Sequence, residues 1–158
     1  MKGCEKMAEM IEITKEMHKK LAMDSFNKTW DLLDKTNRSE AEKVEMIHTA
    51  HASRYHWGQV GTPLEFQRGE WQISRVYAVL EMGESALFHG KIALKTCQKE
   101  GIADFDLAFA YEAIARAFSI LDEKTEKEKY IALAKEAGEK IADEGNRQYF
   151  LGELDSIC

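Results

Sequence analysis

Gly69-Glu70-Trp71-Gln72-Ile73-Ser74-Arg75-Val76-Tyr77-Ala78-Val79-Leu80 aligns without a gap on Ala110-Tyr111-Glu112-Ala113-Ile114-Ala115-Arg116-Ala117-Phe118-Ser119-Ile120-Leu121. The offset is 41 residues, from Arg75 to Arg116, and isoleucine, a small residue, arginine, an aromatic and leucine recur in register. Val76-Tyr77-Ala78-Val79-Leu80 has the composition of a strand. Its neighbours decide otherwise: Ile73, Val76, Tyr77 and Leu80 step by three and four, the period of one helical face. After each segment comes a second helical stretch with spaced alanines, Ala86 and Ala93 in one and Ala134 and Ala137 in the other. A helix pair that recurs at a fixed period cannot bury its apolar face alone and stacks on its neighbour.

Outward from that pair, capping signals mark the other elements. Thr62-Pro63-Leu64-Glu65 combines a threonine cap, a proline at the first helical position and a glutamate at the third. A helix is therefore predicted from Pro63 to about Met82, broken at Gly83. Ser39 and Glu42 have capping-box spacing and open a helix to about Val60, with Gly61 in the left-handed C-terminal position. Further helices are predicted over 84–100, closed by Gly101, over 104–121, and over 126–144, closed by Gly145 and opened by a Thr125/Glu128 capping box. Upstream, Met7, Met10, Ile11, Met17, Leu21, Phe26, Trp30 and Leu33 mark one helix over 5–35, or two meeting near Asp24-Ser25. Tyr149, Phe150, Leu151 and Leu154 mark a short amphipathic piece near the C-terminus. Short connections force consecutive helices to lie antiparallel, which leaves both a closed bundle and an open stack of hairpins.

Composition agrees with an all-α class. Among 158 residues there is one proline, too few for the closely spaced turns of an all-β fold. With 44% apolar and 32% charged residues the chain is neither disordered nor membrane-embedded. A net charge of −6 disfavours wide phosphate-backbone contact, so no nucleic acid is expected. Lys2, Glu5, Lys6, Glu9, Glu12, Lys15 and Glu16 leave no apolar core for a signal peptide, and no membrane partner is expected. Cys4, Cys97 and Cys158 lack any C-x-x-C pairing, which argues against a disulfide framework or a cysteine-built zinc site and for a cytoplasmic chain.

The recurring hairpin resembles the tetratricopeptide-repeat (TPR) family, in which a small residue and an aromatic on the first helix meet alanines on the second. Ser74, Tyr77, Leu80, Ala86 and Ala93 carry the likeness in one unit, and Ala115, Phe118, Leu121 and Ala137 in the next. Tyr130 stands where another alanine belongs, no proline closes either unit, and the offset exceeds the ~34 residues of that family. The resemblance implies a single all-α domain over 1–158, stacked as a right-handed superhelix of about six helices plus a short C-terminal helix. Its parts would be a degenerate helix pair over 5–60, units over 63–100 and 104–144, and a capping segment over 146–158. It implies a scaffold without catalytic activity, cofactor or metal, whose concave face holds a peptide or protein segment. Carried over residue by residue, the groove would be lined by Arg68, Trp71, Gln72 and Arg75 and then by Phe109, Glu112, Arg116 and Ser119. Each set falls on one helical stripe beside the Ile73/Val76/Tyr77/Leu80 face. Arg75 and Arg116 would offer forks to a carboxylate or phosphate and Trp71 a flat anchor. The alternative is that both arginines pair with acids on adjacent helices and Trp71 fills core.

A second cluster points to different chemistry. Val44, Ile47, His48, His51 and Tyr55 share a stripe read as the apolar face of their helix, and Glu70 lies among Phe66, Ile73 and Tyr77 on the inward face of the next. With a turn at Val60-Gly61, His51 and Glu70 stand at the same height, and a buried carboxylate needs a donor. His48, His51 and Glu70 could form a structural hydrogen bond, a polar contact to a ligand, or a metal or acid–base site in a small-molecule-binding protein. His56 is rotated by ~140° from His51 and cannot join them on a straight helix, and His18 and His89 are read as isolated and solvated. Methionines 7, 10, 17 and 23 either pack in the core or form an adaptable face through which the terminal helices self-associate as a homo-oligomer.

Overall fold

A computed structural model describes residues 12–157 as seven α-helices, with no strand among the described residues. They are α1 (Lys15–Leu33), α2 (Glu40–Val60), α3 (Pro63–Val79), α4 (Gly83–Glu100), α5 (Asp104–Ile120), α6 (Lys124–Glu139) and α7 (Glu144–Asp155). The described residues are thus all-α, six helices and a shorter C-terminal one, as the period and caps predict. Ser39 and Glu42 form the reciprocal capping box at the start of α2, and Thr62 and Glu65 do so at α3 behind Pro63. Gly101 closes α4 with a left-handed φ of 66°. Met7, Met10, Ile11, Cys4 and Cys158 lie outside the described residues.

Several boundaries differ from the sequence expectation. Within the described residues α1 is one helix, unbroken at Asp24-Ser25. Gly61 is extended (φ −86°, ψ −175°), not left-handed. What requires glycine there is crowding, since a Cβ would lie 2.9 Å from the Trp57 carbonyl oxygen. Gly83 does not break a helix but begins α4, where a Cβ would meet Leu121 at 2.8 Å. Glu123 rather than Thr125 precedes α6, with no side-chain cap, and α6 ends at Glu139, so Gly145 falls inside α7.

Consecutive helices run antiparallel: His18 near the start of α1 meets His56 near the end of α2, and Arg54 of α2 meets Glu70 of α3. Each helix packs on its sequence neighbours, and α1, α3, α5 and α7 also approach one after another, whereas the backbones of α2, α4 and α6 stay apart and α2 reaches α4 only through the His51 and His89 rings. That pattern is an open stack of hairpins with the odd-numbered helices side by side on one face. Three clusters make the core. Leu32, Met46, Ala50, Ile73 and Val76 join α1, α2 and α3. Ala93, Leu94, Cys97, Ala110, Ile114 and Phe118 join α4 to α5. Ala108, Phe109, Ala134, Ile141, Phe150 and Leu154 lock α5 and α6 under α7.

The second and third hairpins match in detail. α3 and α5 are both 17 residues long and begin and end 41 positions apart, and so do the starts of α4 and α6. Their turns carry a left-handed non-glycine residue at the same place, Glu81 (φ 59°) and Asp122 (φ 56°). Met82 donates its N–H to the Tyr77 carbonyl and Glu123 to that of Phe118 at the matching positions. Met17 and Leu21 of α1, expected inward, are exposed, and its buried residues are Ala22, Thr29 and Leu32.

Candidate binding cleft

Three odd-numbered helices each bring two residues four apart to the same face: Phe26 and Trp30 from α1, Gln67 and Trp71 from α3, Phe105 and Phe109 from α5. Residues at i and i+4 lie one above the other on a helix, so each pair projects together. With Arg68, Asp106 and Tyr149 of α7 they enclose a cleft of about 180 Å³, walled by all four odd-numbered helices. The rings touch in sequence: Trp30 to Trp71 at 5.8 Å between centroids, Trp71 to Phe109 at 5.5 Å, and Phe109 to Phe105 at 4.6 Å. Such tilted and edge-to-face contacts hold aromatic groups in fixed orientations.

The cleft's charges cancel. Arg68 donates from Nε and Nη2 to the two Asp106 oxygens at 2.8 and 3.0 Å, a bidentate fork that raises the arginine's affinity for its proton. Three buried polar atoms of α3 are without a hydrogen-bond partner, two on residues of the cleft lining and one, Gln72 Oε1, outside it. Gln67, 1% exposed, turns its Nε2 toward the Asp106 carbonyl at 3.3 Å, and its Oε1 has no partner. Trp71 Nε1 is buried without an acceptor.

Of the expected groove residues, Arg68, Trp71 and Phe109 line this cleft. Gln72 does not: it is fully buried and donates to the Phe26 carbonyl at 3.1 Å. Arg75, Glu112 and Arg116 assemble around α7 instead. Glu112 is 1% exposed and accepts from Arg116 Nε at 2.7 Å, with Arg75 Nη1 at 3.9 Å. Arg75 also pairs with Glu153, and Arg116 donates to the Glu153 carbonyl at 3.0 Å. The arginine forks are therefore taken by acids of the chain itself. Ser119 is half-buried and outside the cleft lining. Spacing alone did not reveal Phe26, Trp30, Gln67, Phe105, Asp106 or Tyr149. The i, i+4 aromatic pairs Phe26/Trp30 and Phe105/Phe109 were the available signal.

The histidine stripe is rotated from its expected position. Val44, His48 and Tyr55 are exposed, and α2 buries Met46, Ala50 and Ser53. Glu70 is buried, but its donors are Arg54 Nε at 2.9 Å and His89 Nδ1 at 2.7 Å rather than His51. His51 Nε2 lies 2.9 Å from the Tyr77 hydroxyl, and Tyr77 stacks on His89. Burial, then the neighbouring His89, holds the His51 pKa below its ordinary value, against the pull of Glu70. His89 is neither isolated nor solvated, and His18 Nδ1 lies 2.7 Å from His56 Nδ1. No hydrogen bond joins Glu70 to His51 or His48, and among the described residues no three such side chains are placed to hold a metal ion. Burial also pushes the Cys97 thiol up to about 11, the thiol of an inert core cysteine.

Among the described residues no helix is long and apolar enough to cross a membrane. In comparison with known proteins, the chain matches no family model, no curated protein and no solved structure.

Proposed function

We propose that the protein is a TPR-like scaffold that binds a peptide or protein segment along the face formed by α1, α3, α5 and α7, without catalysing a reaction. The observation that carries this reading is the aromatic cleft where all four odd-numbered helices meet. Aromatic side chains in a concave, mostly apolar site are the groups that supply most binding energy at protein interfaces. The polar cluster favours the same reading over a His/Glu reaction centre, because Glu70 and His51 already have partners within the chain. A cytoplasmic setting belongs to the proposal, supported by three cysteines without paired spacing.

The test is selection of binding peptides from a displayed random library on the full chain, followed by calorimetric titration of the selected sequences. Trp71→Ala should weaken binding by about 30-fold, the effect of truncating a central aromatic anchor. Selected peptides whose affinity is unchanged in Trp71→Ala and Phe105→Ala, both with native circular dichroism, would place binding elsewhere and defeat the reading.

A further inference from the structure

Beside the aromatic cleft lies a second hollow of about 250 Å³, which adds Met23, Asn27, Trp57 and Glu65 and shares Phe26 and Arg68 with the first. The two make one groove, with Met23 and Tyr149 exposed at its ends. The cleft itself offers carbon. Trp71 Nε1 and Gln67 Oε1 are walled off from the space, and Arg68 and Asp106 neutralise each other. An enclosed apolar space of about 150 Å³ suffices for benzene, so the cleft, at about 180 Å³, admits one hydrocarbon side chain up to the size of phenylalanine.

The ends of the groove are acidic. Because α1 and α3 run parallel, Asp34, four residues beyond Trp30, and Glu65, three residues before Arg68, stand at opposite ends, each about one helical turn from the cleft. Thr62 donates to Glu65 from its hydroxyl at 2.6 Å and its backbone N–H at 2.8 Å, which holds that carboxyl below the usual range and charged. Among the described residues neither acid has an ion-pair partner of its own. Arg68 forks to Asp106, Lys35 beside Asp34 pairs with Glu42, and Arg38 donates to carbonyls in the last turn of α1. Arg75, at the Tyr149 end, is already shared by Glu153 and Glu112. Burial raises the pKa of the Tyr149 hydroxyl, and Glu153, Glu112 and Asp34 add to that against Arg75 alone. The acids of the groove thus outnumber its arginines, on a chain whose net charge is −6.

Resting on the peptide-binding reading above, we propose that the groove takes a basic segment, with a phenylalanine or leucine side chain in the aromatic cleft and lysine or arginine about two residues to either side, against Asp34 and Glu65. Two residues of extended chain cover about 6.6 Å, close to the rise of one helical turn. A charged anchor meets no counter-charge inside the cleft, and acidic flanks meet like charge at both ends.

The experiment titrates the full chain with three capped heptapeptides, Lys-Lys-Ala-Phe-Ala-Lys-Lys, Glu-Glu-Ala-Phe-Ala-Glu-Glu and Lys-Lys-Ala-Ala-Ala-Lys-Lys. Binding is followed by NMR on the tryptophan indole N–H resonances, with the Trp71 signal identified by its loss in Trp71→Phe. At an ionic strength of about 0.01 M the first peptide should move the Trp71 resonance at concentrations about 10-fold lower than either of the others. At about 1 M, where screening is nearly complete, the lysine and glutamate peptides should come within a few-fold of each other while the loss on replacing phenylalanine by alanine remains. Asp34→Asn combined with Glu65→Gln should have the same effect at low salt, since glutamine keeps the Thr62 cap. An equal change of charge away from the groove on α4 and α6, Glu84→Gln with Glu139→Gln, should not.

Equal binding of the lysine and glutamate peptides at low salt, an equal effect of the two double variants, or no movement of the Trp71 resonance with the first peptide would overturn the proposal. The first and last of these outcomes need no variant of the groove to fold. Library-selected peptides that bind through Trp71 without basic flanks would sink the basic segment and leave the scaffold reading standing. A library that yields no peptide dependent on Trp71 takes both down.

Discussion

Glu70 shows how a single residue can look catalytic and be structural. A carboxylate nine-tenths buried is expensive unless it is paired and hydrogen-bonded, and Arg54 supplies an ion pair and His89 a hydrogen bond from the helices on either side. His51 stands at the edge of this group, facing His89, Glu70 and His48, with its pKa below the ordinary value because of burial and then His89. The folded state therefore prefers neutral His51, while the unfolded chain binds a proton at about 6.5. Stability from this group is complete above that value and falls as the pH drops below it toward the folded pKa. His56, also shifted downward by burial and by His18, contributes in the same direction. Urea midpoints measured at pH 7.5 and 5.5 should decline across that interval, and less so in His51→Gln. An unchanged midpoint would mean that His51 titrates normally.

At the scale of the helix, close approach governs more than turn preference does. Gly138 lies against the Phe150 ring, and a Cβ built there would overlap ring carbons of a residue with no exposed surface. Gly138→Ala should lower stability by about 1–3 kcal/mol, the usual range for overpacking, and loosen α7, read as thermal denaturation and as exposure of Tyr149 and Phe150 to proteolysis. The same physics separates what the sequence made legible from what it hid. Starts were legible where a side chain reaches back to the backbone, as Ser39/Glu42 and Thr62/Glu65 do. Ends assigned to Gly83 and Gly145 were misread because a glycine needed for contact, or one simply carried inside a helix, looks identical in sequence to one that reverses the chain. The inward face of α2 was misread because neighbours cover it on two sides through the small Ala50 and Ser53, leaving no broad apolar stripe. For the cleft, Trp71, Arg68 and Phe109 were legible, but the rest needed to be known as neighbours in space. Nothing local in Phe26 announces that it meets Arg68, 42 positions later.

Over the described residues, backbone packing runs between helices adjacent in the stack, so stability is a chain of local interfaces rather than one shared centre. α3 and α5 are packed by helices on several sides, while the α7 backbone packs only against α5 and α6 and reaches α3 through the Arg75–Glu153 ion pair. Amide exchange measured by mass spectrometry should show α7 opening first and the buried positions of α3 and α5 last. Uniform protection from α1 to α7 would indicate a single cooperative unit instead. The joint between α3 and α4 has a consequence for engineering. Aspartate, as at 122, accepts left-handed backbone, but the glutamate at 81 belongs to a type that resists it. Asparagine or glycine there would lift a penalty of about 1 kcal/mol while leaving every buried side chain in place, so the natural chain sits beneath the ceiling that its own architecture allows.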